Sequence, residues 1–86
     1  MALAFDPNVA TYLAQAGNLA KQVLAKVADE SAVSGWSLAR MLNADPSQIE
    51  AVVAELREKD LLGSNEPGLE GMYFLTQLGY LSRQMF

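Results

Sequence analysis

Hydrophobic side chains recur at spacings of three and four between positions 9 and 27, which is the pattern of an amphipathic helix. Asp6-Pro7 suits its start, because aspartate accepts hydrogen bonds from free amides and proline has no N–H to leave unpaired. Gly17-Asn18 interrupts the pattern, but the stripe keeps its phase across the glycine. We therefore predict one continuous or kinked helix to about Asp29, with two helices as the alternative. The stripe consists of Val9, Tyr12, Leu13, Ala16, Leu19, Ala20, Val23, Leu24 and Val27.

Two more helices are predicted after a connector at residues 31–35. Ser37 is placed to cap a short helix over residues 38–42. Asp45 caps the next helix with Pro46 at its first position, and Gln48 lies three residues after Asp45, close to a capping-box arrangement. The predicted buried face of this third helix consists of Ile49, Val52, Val53 and Leu56.

A β-hairpin is predicted after the third helix, which ends at Lys59-Asp60. Leu61-Leu62 begins a strand, residues 63–71 are rich in turn formers, and residues 72–75 are β-prone. Thr76 then caps a last short helix carrying Leu78, Leu81 and Met85. The fold class is therefore mainly α with a small β-hairpin, in the order helix, helix, helix, hairpin, helix, and residues 1–86 form a single domain.

The composition narrows the range of functions. The 86 residues include no cysteine and no histidine, which argues against disulfides, thiolate zinc sites, cysteine nucleophiles and histidine-based acid–base catalysis. The glycines follow no phosphate-binding motif. We therefore expect no enzyme activity, no cofactor and no metal site. Half of the residues are hydrophobic, so part of that surface is expected at an interface with another chain.

The sequence offers no membrane-spanning or secretory segment. Lys21 and Lys26 interrupt the alanine-rich part of the first helix, and no apolar run approaches the length that a bilayer requires. The first residues lack the basic and apolar regions of a secretory signal. A cytoplasmic location is therefore expected. The net charge of −4 is mildly unfavourable for binding nucleic acid or an anionic membrane.

Three short motifs, in order along the chain, point to one fold. Leu38-Ala39 precedes Leu42 in the second helix, and Asp45-Pro46-Ser47 opens a third helix that runs into Leu-Arg-Glu-Lys-Asp-Leu-Leu at residues 56–62. The third motif is Phe-Leu-Thr-Gln-Leu-Gly at residues 74–79. Together they resemble the winged helix-turn-helix domain and are similar to MarR-type bacterial transcriptional regulators.

The resemblance covers residues 19–82 and implies that the third helix reads DNA while the hairpin acts as the wing. Asp60 stands where the family usually has glycine. Aspartate tolerates a left-handed backbone, so the turn can still form. Residues 6–18 would then be an N-terminal helical extension to the winged-helix core.

Helical geometry divides the surface of the third helix. With its hydrophobic face inward, the opposite ridge and its flanks consist of Ser47, Gln48, Glu50, Ala51, Ala54, Glu55, Arg57 and Glu58. A DNA-reading helix normally presents Arg, Lys, Asn or Gln to base edges. Here Ser47 and Gln48 are the candidate base readers, and Arg40 and Arg57 are the cations available for phosphates. The hairpin tip, residues 63–71, has two glutamates and neither Lys nor Arg.

The negative charge on this surface determines which of two functional hypotheses, protein binding or DNA binding, we favour. A carboxylate about 7 Å from a phosphate repels it by roughly 0.6 kcal/mol in bulk water, so Glu50, Glu55 and Glu58 would oppose DNA docking by about 2 kcal/mol. We therefore favour a regulatory or adaptor module that binds protein. Ala51 and Ala54 would let a partner approach closely, or they are simply good helix formers on a solvated surface. The alternative is a transcriptional regulator that binds operator DNA as a homodimer through the third helix and wing.

The N-terminal extension, residues 6–18, is the predicted dimer or partner interface. The alternative is that this helix folds back onto the core of its own chain. Trp36 is predicted to cover an edge of the core, with ligand stacking as the alternative. The predicted interface residues are Val9, Tyr12, Leu13, Ala16, Met85 and Phe86.

Overall fold

The computed structural model describes Thr11 and residues 17–83. Its elements, in chain order, are α1 (Asn18–Glu30), β1 (Val33–Ser34), α2 (Gly35–Met41), α3 (Pro46–Glu58), β2 (Leu62–Ser64), β3 (Met72–Leu75) and α4 (Gln77–Leu81). The predicted order of three helices, a hairpin and a last helix is confirmed. The strand β1, within the predicted connector, adds to the hairpin and makes a three-stranded sheet.

The predicted helix, continuous or kinked through Gly17, is interrupted at that residue. Gly17 has φ −72° and ψ 170°, an extended backbone, and it is the residue that precedes α1. Asn18 is the first residue of α1, and no side chain caps this end. Thr11, before this interruption, is in a helical conformation. The unbroken phase of the hydrophobic stripe could not reveal the break, because residues on both sides of a chain reversal or kink can still face one core.

The start of α2 also differs from its prediction. Ser34, not Ser37, caps the helix, because the Ser34 Oγ accepts a hydrogen bond from the backbone N–H of Ser37 at 3.0 Å. Ser34 belongs to β1, and its pairing with β3 holds it in the extended conformation that a capping residue needs. The helix consequently begins three residues earlier than expected, at Gly35.

The ends of α3 agree with the sequence. The Asp45 side chain accepts from the Ser47 amide, and Pro46 occupies the first turn. Beyond the other end, Asp60 adopts φ 65°, the left-handed conformation expected at the position where the resembled family has glycine. Asp60 also links α3 to the last helix, since its carbonyl accepts from the Thr76 hydroxyl at 2.6 Å. The Thr76 Oγ1 in turn accepts from the Gly79 N–H, which confirms the predicted cap of α4.

The hydrophobic core lies where α1, α3 and β3 meet, with α2 packed on α3. Of the predicted buried face of α3, Ile49, Val53 and Leu56 are fully buried while Val52 is half-buried. The core cluster consists of Val23, Leu24, Val27, Val33, Leu38, Ala39, Ile49, Val53, Leu56, Leu61, Leu62, Tyr73 and Leu75. This core holds α3 in place and leaves its opposite ridge in solvent.

The sheet is antiparallel, with β3 between β1 and β2. Gly63 and Ser64, predicted as turn residues, belong to β2 and pair with Phe74 and Tyr73. The Phe74 ring covers Gly63, where an added Cβ would lie 2.6 Å from the Phe74 Cε1. A large aromatic ring therefore supplies the packing that glycine lacks, and the strand continues through it. The last helix, α4, ends at Leu81. Met85, which was predicted to belong to it, lies outside the described residues.

Candidate interaction surface

The structure places the predicted ridge of α3 in solvent. Its members, Ser47, Ala51, Ala54 and Glu58, are all exposed, as are the flanking Gln48 and Glu55. The N-terminal half of the ridge therefore offers a hydroxyl, an amide and two methyl groups, and its first formal charge is at Glu58 near the helix end. Nothing in the described part of the chain covers this ridge.

The first turn of α3 is held by a local hydrogen-bond pair. The Asp45 Oδ1 accepts from the Ser47 N–H at 2.9 Å and from the Ser47 Oγ at 2.8 Å. The hydrogen bond from the Ser47 hydroxyl, followed by the one from its amide, lowers the pKa of Asp45, so this carboxyl stays ionised. The hydroxyl proton of Ser47 is therefore committed within the chain. Its oxygen can still accept a hydrogen bond from a partner.

Replacing Asp45 with alanine is expected to lower the thermal midpoint of unfolding by a few degrees, because the first amides of α3 lose their acceptor. Asparagine, an equally good capping residue, should restore most of the loss. The folded-state pKa of Asp45 is depressed, so the stabilisation is present at neutral pH and is lost as acidification passes through that pKa. Circular-dichroism melts at neutral and acidic pH test this; equal midpoints for the parent and the alanine variant at neutral pH would contradict it.

Glu50 and Arg57 lie on the flank of α3 that faces the hairpin. The Glu50 Oε2 is 3.6 Å from the position that a Cβ on Gly68 would occupy. Gly68 is itself tied to the sheet, since its carbonyl accepts from the Tyr73 hydroxyl at 2.8 Å. Burial raises the pKa of that hydroxyl, while the nearby Arg57 charge acts in the opposite direction. The opposite charges of Glu50 and Arg57 therefore lie on one side of α3, and both act on the Tyr73 hydroxyl.

The remaining flank carries Glu55, which makes an interaction within the folded chain, as does Lys59 one turn later. The three glutamates that the sequence grouped on one docking face thus point in three directions. Glu50 faces the hairpin, Glu55 lies on the opposite flank, and Glu58 is on the ridge.

Trp36 ties α2 to the hairpin rather than covering the core. Its indole Nε1 donates to the Glu70 Oε2 at 3.0 Å, and its backbone N–H donates to the Leu69 carbonyl at 3.2 Å. The Gly35 N–H donates to the Gly71 carbonyl at 3.2 Å beside it. The indole is 48% exposed, so the prediction that it shields an edge of the core does not describe it. The indole thereby holds the Glu70 carboxylate in the loop that connects β2 to β3.

An open pocket of about 320 Å³ lies between α2 and the start of α3. Arg40 stands at this pocket and is exposed. Among the described residues Arg40 forms no ion pair, so its guanidinium is available to an incoming anion. The lining residues are Trp36, Ala39, Arg40, Ala44 and Pro46.

The predicted dimer contacts cannot be placed. Val9, Tyr12, Leu13, Ala16, Met85 and Phe86 lie outside the described residues, so their role stays a prediction. Over Thr11 and residues 17–83 there is no group of acidic side chains arranged to hold a metal ion. No helix in that same part of the chain is long and apolar enough to cross a membrane.

Sequence reasoning missed one exposed feature, the outward side of β3. Met72 and Phe74 are 42% and 44% exposed, while Tyr73 and Leu75 are buried. The signal was available, because side chains alternate between the two faces of a strand and the flanking Leu75 had to face the core.

Comparison with known proteins supports the fold. No protein-family profile matches the chain, and no curated protein matches it by sequence. Its structure is similar to that of the adhesin competence repressor AdcR from Streptococcus pyogenes, a MarR-family winged-helix regulator, with a TM-score of 0.68 at 14% identity. The match covers 91% of this chain and 65% of AdcR, so the chain spans less than two thirds of that protein. The chain therefore has the winged helix-turn-helix fold, with α2 and α3 as the helix-turn-helix and β2 and β3 as the wing.

Proposed function

We propose that this chain is a transcriptional regulator that binds duplex DNA as a homodimer through the first half of α3. One observation carries the proposal: the exposed ridge is uncharged from Ser47 to Ala54, and its first turn lies near Arg40, which forms no ion pair within residues 17–83. The likeness to a solved repressor over 91% of the chain supports it. The sequence alone favoured the protein-binding hypothesis, so the proposal reverses that ranking.

The reversal follows from where the carboxylates lie. Glu58 is eleven residues beyond Ser47, a separation of about 16 Å along the helix. That distance is roughly twice the screening length of about 8 Å at physiological salt. Glu50 lies on the flank that faces the hairpin, where its carboxylate approaches Gly68. The repulsion at the first half of α3 is consequently well below the 2 kcal/mol that three outward glutamates would give, although Asp45 remains a nearby negative charge.

The proposed roles follow from side-chain chemistry. Gln48, exposed in the first turn of α3, has the donor and acceptor pair that recognises adenine in the major groove. Ser47 can accept one hydrogen bond from a base, since its own proton is donated to Asp45. Arg40 would neutralise a phosphate, and Arg57 is the other candidate cation. Two such contacts per protomer give four per dimer, so the logarithm of affinity should fall with the logarithm of salt at a slope of about −4.

The first test is a fluorescence-polarisation titration with duplexes enriched from a random library, because the operator is unknown. Arg40→Ala should weaken binding to every duplex and flatten the salt slope by about 2, one contact from each protomer. Gln48→Ala should weaken binding to the enriched duplex by about tenfold or more and leave binding to random duplex unchanged. Lys26→Ala, which removes the same charge from α1, is the matched control.

Two results would exclude the proposal. The parent chain could show no salt-dependent duplex binding at about 50 mM salt, where electrostatic binding is strong. Alternatively, Lys26→Ala could reduce affinity as much as Arg40→Ala, which would show that only the net charge matters. A solution mass measurement of the same sample determines whether the binding species is a dimer.

The second candidate is a protein-binding adaptor that uses α3 and the hairpin. The observation that favours it is the charge of the wing, whose residues 62–75 carry Glu66 and Glu70 but neither Lys nor Arg. A wing that contacts the DNA backbone usually carries a basic side chain. If library selection enriches no duplex, this candidate replaces the first.

A further inference from the structure

The outward side of the sheet is an apolar surface that no part of the described chain covers. We call it the outer sheet face and define it by Met72 and Phe74, with Trp36 at one end. These three side chains are 42%, 44% and 48% exposed. Phe74 covers Gly63 with part of its ring, but the remainder of the ring and the Met72 side chain stay in solvent. An exposed apolar patch of this kind is typical of an interaction site.

The register of the sheet makes this surface continuous. Met72 and Phe74 are two residues apart on β3 and so lie on one face, about 7 Å apart along the strand. Met72 pairs with Ser34, and the chain continues from Ser34 through Gly35 to Trp36. Backbone hydrogen bonds from the Gly35 N–H to the Gly71 carbonyl and from the Trp36 N–H to the Leu69 carbonyl continue this pairing beyond the ends of the strands. Trp36 therefore lies at the Met72 end of the face.

The outer sheet face is held in place before any partner arrives. The Phe74 ring packs on Gly63, and the Met72 N–H donates to the Asn65 Oδ1 at 2.9 Å. At the other end, Glu70 holds the Trp36 indole through its Nε1. Side chains that are already ordered lose little freedom on binding, which favours association.

The charges around this face select the partner. Glu66 and Glu70 are the charged side chains of residues 62–75, both are exposed, and the chain as a whole carries −4. A polyanion would be repelled here, whereas lysine or arginine side chains would be attracted. The face thus suits a partner that is apolar and basic, and it is unsuited to a phosphate backbone.

The size of the face limits the partner to a short segment. Two aromatic side chains and a methionine at less than half exposure present about 250 Å². A stable complex between two folded proteins buries about 800 Å² on each side. We infer that the outer sheet face binds a short segment of a partner protein that carries apolar side chains interspersed with lysine or arginine. This inference holds whichever partner α3 binds.

A direct test uses a fluorescein-labelled hexapeptide of alternating lysine and leucine, with a peptide of alternating glutamate and leucine and one of alternating lysine and serine for comparison. Fluorescence polarisation is measured on the full chain without DNA. The lysine–leucine peptide should bind at least about tenfold more tightly than either comparison peptide. Unlabelled peptide should also change the emission of Trp36, the single tryptophan of the chain.

Matched variants locate the binding site. Met72→Ser should weaken binding of the lysine–leucine peptide by about tenfold. Met41→Ser makes the same change at the end of α2, at 46% exposure, and should leave binding unchanged. Glu66→Gln should weaken binding by about twofold at low salt and have less effect at high salt.

Three outcomes would overturn the inference. The glutamate–leucine peptide could bind as tightly as the lysine–leucine peptide, or Met41→Ser could weaken binding as much as Met72→Ser. Finally, Met72→Ser could convert a dimer of the parent chain to a monomer, which would assign the face to a second copy. Because no DNA is present, each result is separate from the duplex titration, in which Met72→Ser should behave like the parent.

Discussion

Replacing Gly71 with alanine is expected to destabilise the domain by about 3 kcal/mol, because the new methyl group has no room. A Cβ built on Gly71 would overlap the backbone carbonyl of Glu66. That carbonyl cannot easily move away, since it accepts from the Ser64 hydroxyl at 2.7 Å. Gly71 itself is fixed by its hydrogen bonds to Gly68 and Gly35. For a domain of this size the thermal midpoint should fall by about 15 °C.

The control for this variant is Gly17→Ala. Nothing lies within 4 Å of the Cβ position at Gly17, and its backbone is in a region open to every residue. Gly17→Ala should lower the free energy of unfolding by less than about 1 kcal/mol, the difference between glycine and alanine at the residue before a helix. Urea unfolding followed by circular dichroism measures both variants. A Gly71→Ala protein as stable as Gly17→Ala would show that the loop of the wing can open without cost.

Leu24→Ala is expected to have a comparably large effect, about 3 kcal/mol, because it empties a fully buried position. Leu24 lies on α1, the helix that packs against both α3 and β3. Small domains have about 5–15 kcal/mol of stability in total, so this single change removes a large part of it. Both α3 and the wing are supported by that packing, so the duplex binding proposed above should also be lost at a lower temperature than in the parent.

Leu24→Met provides the comparison, since it keeps the side-chain volume and should cost less than about 1.5 kcal/mol. Chemical denaturation at 25 °C and duplex titration over a temperature range measure the two effects together. If Leu24→Ala unfolded at the same urea concentration as Leu24→Met, α1 would not be part of the cooperative core, and its packing against α3 and β3 would have to be reinterpreted.

The parts of the fold that sequence predicted well are those determined by neighbouring residues. The start of α3 follows from Asp45-Pro46, since a capping carboxylate and a proline in the first turn act within one turn of the chain. The left-handed turn at Asp60 and the cap at Thr76 are equally local. The exposed ridge of α3 follows from helical periodicity once Ile49, Val53 and Leu56 are assigned to the core.

The incorrect predictions depend on distant parts of the chain. Ser34 and Ser37 are both good capping residues, and pairing of Ser34 with Met72, far along the sequence, decides between them. The break at Gly17 leaves the hydrophobic spacing unchanged and so leaves no signal in the periodicity. Gly63 reads as a turn residue until Phe74 is seen to lie across it.

The same distinction applies to the interaction surface. Periodicity places Glu50 beside the ridge of α3, but only the position of the hairpin shows that its carboxylate approaches Gly68. The link from Trp36 to Glu70 joins residues far apart in sequence and has no local signature. An estimate that adds the charges of Glu50, Glu55 and Glu58 at one distance therefore omits their different positions around α3.

The position of β3 in the middle of the sheet also affects how the molecule behaves when crowded. Aggregation into fibres requires a long row of unpaired amides and carbonyls onto which another chain can be added. Here the two outermost strands are only two and three residues long. A concentrated solution of this chain should therefore resist ordered self-assembly, even though methionine and phenylalanine side chains stand exposed on its surface.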